Sequence, residues 1–411
     1  MLFRTDGRSE HKMRVLRKGD SQFLKDFNRS LVINAIHRKG PISRNKLAYS
    51  LGLKSSTITQ ITRYLIQAHL IEETGIGEST GGRRPIFLDL NPNYGASIGV
   101  YIESVCAHIG LIDLKGKLLK RVRVSFSRGS ESDSESVICA IRKSIDKMVK
   151  GVNLLGIGIG ISGFTDSRNE TLFYSPILGW RNVNLSRPLE RAYGVPVFVD
   201  NDINTFVLAE LWYGAGNHFR NFICVTIGEG IGAGIVIDGR LYEGATGGAG
   251  EIGHICIDLN GPKCRCGEKG CLEVFASNSF LLRRAREALL KGQGTFKKAT
   301  IEALINAANE GDEVAIGIFT EMSKNLGIGL KNVVNLFNPE AIILSGECMK
   351  AYPFFSRILK KEIQKHSFPG EAGELQILPS GVGDDGWLIG PATLALNPIF
   401  ELPIYRGPRR G

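Results

Sequence analysis

No stretch of this 411-residue chain stays apolar for the roughly 18 residues that a membrane span needs. The opening segment, MLFRTDGRSEHKMRVLRKGD, also lacks the apolar run of a secretion signal. Membrane insertion is therefore not expected, and the chain reads as cytoplasmic. Cysteine is too sparse for a secreted disulfide framework: there are 8, and three of them crowd into residues 264–271, a spacing that suits metal binding better than pairing. Charged residues make up 22% and hydrophobic residues 43%, which argues against extended disorder away from the chain ends. No short-period repeat marks a solenoid. Acidic residues are scarce in the first quarter, where residues 1–92 hold 16 lysines and arginines against 8 aspartates and glutamates. That segment carries most of the net charge of +10, so a polyanion is its expected partner. Glycine is abundant, with 50 residues clustered in runs such as GIGIGISG, GEGIGAG and GATGGAG. Such runs suggest tight turns between strands and ligand-approaching loops.

Residues 1–20 are polar and read as a flexible leader to a domain over 21–92. Leu24, Phe27, Leu31 and Ala35 recur at helical spacing up to Gly40 and Pro41. A second short helix begins after Ser43, a natural N-cap, buries Leu47 and Leu51, and stops at Gly52. A third buries Ile58, Ile61 and Leu65, leaving Ser55, Ser56, Thr57, Thr59, Gln60 and Arg63 outward. Two short helices with a glycine turn, the second presenting hydroxyls, an amide and a guanidinium, form a helix-turn-helix pattern. Two β-prone stretches, 70–74 and 86–90, flank GIGESTGGRRP and read as a wing with Arg83 and Arg84 at its tip. Double-stranded DNA is the expected partner of this winged helix-turn-helix.

Beyond Asn91 and Pro92, short β-rich runs ending in Gly or Asp alternate with helical segments, which predicts an α/β body whose functional loops follow strand ends. Within GEIGHICIDLNGPKCRCGEKGCLEVF, His254, Cys264, Cys266 and Cys271 place one imidazole and three thiolates in eighteen residues. Four soft ligands with glycines at the turns describe a closed tetrahedral site, expected to hold a structural Zn2+. Cys106, Cys139, Cys224 and Cys256 are expected to be small core residues, and Cys348 stays unassigned.

The residues GEIGH followed by CRCGEKGCLE, with VDNDINTFVLAE, NLFNPEAIILSG and the GGRRP wing in support, resemble the ROK family, which groups sugar-responsive repressors with sugar kinases. The resemblance spans nearly the whole chain. It implies an actin-like, two-lobed sugar-kinase fold after the head, with lobe 1 at residues 93–205, joined by a C-terminal helix over 386–400, and lobe 2 with the zinc site at 206–385. It further implies a sugar effector in the interlobe cleft, held by Asn201, Asp202, Glu251, His254 and Glu273, and a homo-oligomer, dimer or tetramer. Carboxylates and carboxamides suit vicinal hydroxyls because they accept or exchange paired hydrogen bonds, and an imidazole can serve metal and sugar through its two nitrogens.

Kinases of the family carry a phosphate loop of the form Asp-x-Gly-Gly-Thr after the first strand, which aligns on Tyr101, Glu103, Ser104 and Val105 with its aspartate, glycines and hydroxyl all replaced. The second phosphate loop, Gly-Thr-Gly in the kinases, reads Gly228-Glu229-Gly230. A carboxylate and a Cβ where backbone N–H groups should cradle phosphate both oppose ATP. The expectation is a repressor of carbohydrate-utilisation genes, not an enzyme. The alternative is an active sugar kinase with a regulatory head, since Asp202 matches the position of the kinase base. The family pattern leaves the sugar open among xylose, glucose and N-acetylglucosamine. The loop over residues 175–185 is a candidate discriminator, with Trp180 either stacking on a sugar face or packing inside.

Overall fold

Isoleucine and valine fill the strand positions of the body, in SIGVYI, LGIGIGI, FICVTI and AIILS, and each of these runs is buried on both faces, as strands covered by helices must be. The computed structural model describes residues 21–76, 84–126, 133–166, 171–365 and 375–400. They fall into two units, one made of residues up to 94 with those from 396 onward, the other of residues 95–395.

The smaller unit contains helices α1 (Ser21–Lys39), α2 (Arg44–Leu51) and α3 (Ser55–Gln67), and an antiparallel sheet in the order β1 (Ile42–Ser43), β3 (Ile86–Leu90), β2 (Ile71–Ile76). Ser43 caps α2 by accepting from Lys46 N, and Gly52 ends it in the left-handed conformation at φ 64°. On α3 the buried stripe is Ile58, Ile61, Thr62 and Leu65. On α1 the stripe differs from the expected one: Val32, Ile33 and Ile36 are buried, whereas Leu24 is 53% exposed and Phe27, Leu31 and Ala35 are only partly covered. The segment LVINAI is apolar almost all round, so periodicity alone does not select a face; packing on β3 and the other helices does. The side-chain amide of Asn34 donates to Phe400 O at 2.6 Å, tying the end of the C-terminal helix into this unit.

The larger unit holds two five-stranded sheets built to one plan. In the first, β4 (Ala96–Ile102), β5 (Cys106–Asp113) and β6 (Leu118–Ser125) form an antiparallel meander, and β7 (Leu154–Ile161) and β11 (Val197–Asn201) extend it in parallel beyond β4, with α4 (Asp133–Met148) between β6 and β7. The second repeats this order. Its meander is β12 (Phe222–Ile227), β13 (Ile231–Ile237) and β14 (Arg240–Leu241), and its parallel strands are β15 (Ala341–Ser345) and β16 (Gln376–Pro379). A small sheet of β8 (Phe164–Asp166), β9 (Thr171–Tyr174) and β10 (Arg181–Asn184) follows β7 and leads to α5 (Ser186–Tyr193). Helix α6 (Asp202–Tyr213) runs directly out of β11, while α7 (Glu273–Ala276), α8 (Asn278–Leu290), α9 (Ile301–Asn309), α10 (Glu313–Phe337) and α11 (Tyr352–Gln364) belong with the second sheet. The last helix, α12 (Gly386–Phe400), gives residues 386–395 to the larger unit and 396–400 to the smaller.

The glycines of LGIGIGI were expected at turns; they lie inside β7. A Cβ on Gly158 would overlap Pro391 O, and one on Gly99 of β4 would overlap Leu388 O, so these glycines let α12 lie against the sheet at backbone distance. Gly99→Ala is therefore expected to cost about 1–3 kcal/mol through overpacking. Gly317→Ala, at an exposed position of α10 where a Cβ meets nothing within 4 Å, should instead gain about 0.4–1 kcal/mol. Thermal melting of the two variants checks the opposite signs.

Candidate effector cleft and metal centre

Ends of strands from both sheets converge on a cleft of about 950 Å3. The first sheet contributes Tyr101 and Glu103 at the end of β4 and Asn201 and Asp202 at the β11–α6 junction; the second contributes Gly228 to Gly230 at the β12–β13 turn and Gly346 and Glu347 after β15. This follows the general rule that ligands lie beyond the carboxyl ends of parallel strands. Glu251, His254 and Glu273 line the same cleft.

The β11–α6 junction explains how two acids come to be buried there. Asn201 caps α6: its side-chain oxygen accepts from Ile203 N at 2.9 Å and its amide donates to Gly163 O at 3.1 Å, so it is spent largely on local structure. Asp200, which sequence reasoning missed although it lies in the VDND run, is buried and takes bonds from Asn201 N, Asn204 Nδ2 and Thr165 Oγ1. Asp202 is also buried, and its donors are backbone only: Ile203 N at 3.0 Å, shared with Asn201, and its own N–H. Burial pushes both carboxyls up to about 6, helped at Asp202 by the nearby charges of Glu251 and Asp200.

The segment 252–273 folds around four ligand atoms. A short 3-10 turn, Ile252–His254, delivers the imidazole, and bridges between Cys256 and Cys271 and between Lys263 and Lys269 close the loop that carries the thiols. Gly270, at φ 72°, leaves room for Asp258 O, which a Cβ would strike. His254 Nδ1 lies 3.6 Å from Cys264 Sγ, and Cys266 Sγ lies 3.6 Å from Cys271 Sγ. All four ligand atoms are within 4.8 Å of one another. Tetrahedral zinc, with bonds of about 2.3 Å to sulfur and about 2.0–2.2 Å to nitrogen or oxygen, sets its ligands about 3.4–3.8 Å apart, so this donor set fits a metal of that class. Burial and the neighbouring thiols push Cys271 up to about 12, whereas the Glu268 backbone bond lowers Cys266. The other imidazole nitrogen, Nε2, faces Glu251 Oε2 at 4.0 Å on the cleft side.

Glu273, at the start of α7, is held more firmly than its sequence position suggests. Its carboxylate takes Arg265 Nε at 2.8 Å and Arg265 Nη2 at 2.9 Å, with Ile231 N at 3.3 Å. Arg265, between two metal-site cysteines, was not among the expected site residues. Neither was Trp387, which stacks on Tyr101 with ring centroids 4.9 Å apart and tilts against Phe206. Nor was Glu347, whose Oε2 accepts from Asn278 Nδ2 at 2.7 Å. Trp180 is 2% exposed and belongs to the core of the first sheet, so of its two expected roles the structure gives it packing. Ser104 and Glu229 lie at the cleft and Val105 is exposed beside it. Of the remaining cysteines, Cys106, Cys224 and Cys348 are buried, Cys139 partly so, and Cys256, expected in the core, is exposed on the metal loop.

In the smaller unit Ser55, Ser56, Thr59, Gln60 and Arg63 are exposed on α3, with Thr57 half-buried beside them. Arg84 is exposed before β3; Arg83, like residues 1–20, lies outside the described residues. Arg29 stacks over Tyr64 at 3.8 Å, and Arg44 joins α2 to α3 and β2 through Thr62 and Glu73. Among the described residues no helix is long and apolar enough to cross a membrane.

Residues 98–397 match the ROK family, and the chain belongs to it. It is 32% identical to the xylose repressor of Bacillus subtilis over 93% of this chain and 98% of that protein. It is 33% identical to the DNA-binding transcriptional dual regulator NagC of Escherichia coli over 81% of this chain and 83% of that protein. Among solved structures it resembles a ROK family transcriptional regulator described as a homologue of the E. coli MLC protein, with a TM-score of 0.80 and 30% identity over 93% of this chain and 98% of that one. It also resembles a ROK family glucokinase from Streptomyces griseus solved with glucose and AMPPNP, with a TM-score of 0.64 and 31% identity over 74% of this chain and 100% of that one. The larger unit thus has the mixed α/β fold of this family of regulators and sugar kinases.

Because burial raises the carboxyls of Asp200 and Asp202, the folded chain binds protons that the unfolded chain releases between about pH 4 and about pH 6. Their contribution to stability therefore falls as pH rises through that window. Asp202→Asn is expected to melt higher than wild type at pH 8 and to show a shallower loss of melting temperature between pH 4 and pH 7. Equal slopes for the two proteins would show that Asp202 is ionised at no cost.

Proposed function

We propose that the chain is a sugar-responsive, DNA-binding repressor of carbohydrate-utilisation genes. Its smaller unit acts as a winged helix-turn-helix, its cleft takes the sugar, and a structural zinc sits on His254, Cys264, Cys266 and Cys271. The observation that carries this reading is the pairing of a buried, weakly compensated carboxylate at Asp202 with a basic head in one chain. A buried acid with few donors is costly unless a ligand supplies them, and a sugar hydroxyl does. Glu251 and His254 Nε2 complete the set of acceptors and exchangeable donors, and Tyr101 and Trp387 offer an aromatic floor of the kind that packs against sugar C–H faces. Glu273 contributes by fixing Arg265. Asn201 contributes by capping α6 and so orienting Asp202.

The head reads DNA with α3 in the major groove, through Ser55, Ser56, Thr57, Thr59, Gln60 and Arg63, while Arg84 and Arg83 of the wing reach phosphate or the minor groove. The N-cap position of α3, Lys54, makes no side-chain cap bond, which suits a phosphate at the helix start. A homo-oligomer would present two such heads to paired half-sites. Sugar in the cleft shifts the population toward a form whose heads no longer match that spacing. Helix α12, with Trp387 at its cleft end and residues 396–400 in the smaller unit, is the element through which such a shift travels. The known names of the relatives, xylose repressor and NagC, support the class and leave the sugar to experiment.

Catalysis is not proposed. By the family resemblance Tyr101, Glu103, Ser104 and Val105 align with the first phosphate loop and Glu229 with the second; Glu103, Glu229 and Glu347 all line the cleft. Three carboxylates there repel phosphate oxygens. The kinase alternative rests on Asp202, and a coupled ADP-release assay with a sugar panel decides it: no turnover is expected, and turnover abolished by Asp202→Asn would reverse the reading.

Fluorescence anisotropy on operator DNA tests the repressor itself. One sugar of a panel of pentoses, hexoses and N-acetylhexosamines is expected to weaken DNA binding at least tenfold in wild type and to leave Asp202→Ala unaffected. DNA binding that no sugar alters would sink the effector role. Arg84→Ala should weaken binding and lower the salt slope by about one; an unchanged slope removes the wing from the interface.

A further inference from the structure

Tyr101 pairs with His108 across the β4–β5 hairpin, so by the period-two alternation of strands Tyr101, Glu103, Cys106 and His108 share one face of the first sheet. The hairpin is tight, with Glu103 N donating to Cys106 O at 2.8 Å, and it folds the Glu103 side chain back over its neighbours. The result is a second cluster of unlike ligands. Cys106 Sγ lies 3.1 Å from Glu103 Oε2 and 3.4 Å from His108 Nε2, and His108 Nε2 lies 3.7 Å from Glu103 Oε1. The sulfur-to-nitrogen separation of 3.4 Å is close to the roughly 3.6 Å expected between such ligands on one tetrahedral ion, with a carboxylate oxygen of Glu103 near each of them.

We propose that Glu103, Cys106 and His108 form a second metal site, for a divalent transition ion of the zinc class, on the first-lobe side of the cleft. Glu103 meets the sulfur through Oε2 and the imidazole through Oε1, and one ligand atom from each of the three residues lies within 4.8 Å of the others, so a small turn of the carboxylate brings the three donors onto one ion. Cys106 is buried, which keeps its sulfur from bulk water, while Glu103 and His108 line the cleft, so the fourth coordination position opens there. The imidazole is braced on its ring face by Tyr101, with centroids 6.2 Å apart at 24°. Binding exchanges the proton of the Cys106 thiol for the ion, and that proton leaves to solvent. Thiolate and carboxylate together neutralise the dication. Arg123, opposite His108 in the β5–β6 register, hydrogen-bonds the Cys106 sulfur as well as donating to Ser125 Oγ at 3.1 Å, so its guanidinium gives up the sulfur when the ion binds. With one thiolate against three, this site should fill after the cluster at residues 254–271 and empty before it. The site requires nothing of the sugar reading.

The test is metal stoichiometry on the full-length chain, stripped with chelator and dialysed against Zn2+ or Co2+. Wild type is expected to retain two ions per chain, and Cys106→Ser and His108→Ala one each, with melting temperatures showing that the variants are folded. With Co2+, the thiolate charge-transfer band should lose about a quarter of its intensity in Cys106→Ser, one of four thiolates being removed. One ion in wild type, or two in His108→Ala, overturns the proposal. Should Cys106→Ser fail to fold, the part-exposed His108 supplies the answer alone.

Discussion

A single imidazole serves two neighbours. His254 turns Nδ1 toward Cys264 Sγ in the metal centre and leaves Nε2 toward Glu251 and the cleft. The ring cannot be placed for one without being placed for the other, so the loop that carries the candidate metal ligands is also a wall of the cleft. The same loop supplies Arg265, whose guanidinium grips Glu273 at the start of α7. A metal held by this cluster would therefore fix the positions of His254, Arg265 and, through it, Glu273. This is the usual work of outer groups around a metal, here directed inward to a ligand pocket.

The opposite wall depends on a cost rather than a bond. Asp200 and Asp202 are buried within one turn of each other, and burial raises both. Asp200 repays its burial with three donors; Asp202 has far less. A site that spends stability on an undersatisfied acid is expected to recover it when a hydroxyl arrives. The repeated sheet plan makes the arrangement possible: each sheet brings its meander turn and its parallel strand ends to the same cleft, so acids from distant parts of the sequence converge without long loops.

Much of this was legible in the sequence where one physical requirement dominates. The Cys3His spacing shows because a metal loop needs fixed ligands with glycines between them. The α3 stripe shows because its polar residues leave one apolar face. The stripe of α1 does not, since its apolar residues surround the helix and tertiary contacts decide. The glycines of β7 look like turn residues in sequence, yet they answer to α12, more than 200 residues later, and nothing local announces that. Trp387 escaped for the same reason: it reaches Tyr101 only because the chain returns to the first sheet at its end. Cys256 was misplaced because a cysteine on a metal loop has the same sequence signature whether or not its thiol turns inward.

The linkage through His254 has one direct measurement. Isothermal titration of the inducing sugar into metal-loaded and metal-stripped full-length protein, at equal helical content by circular dichroism, should give at least tenfold weaker binding to the stripped form. Equal affinity in the two forms would separate the metal centre from the cleft and contradict the account.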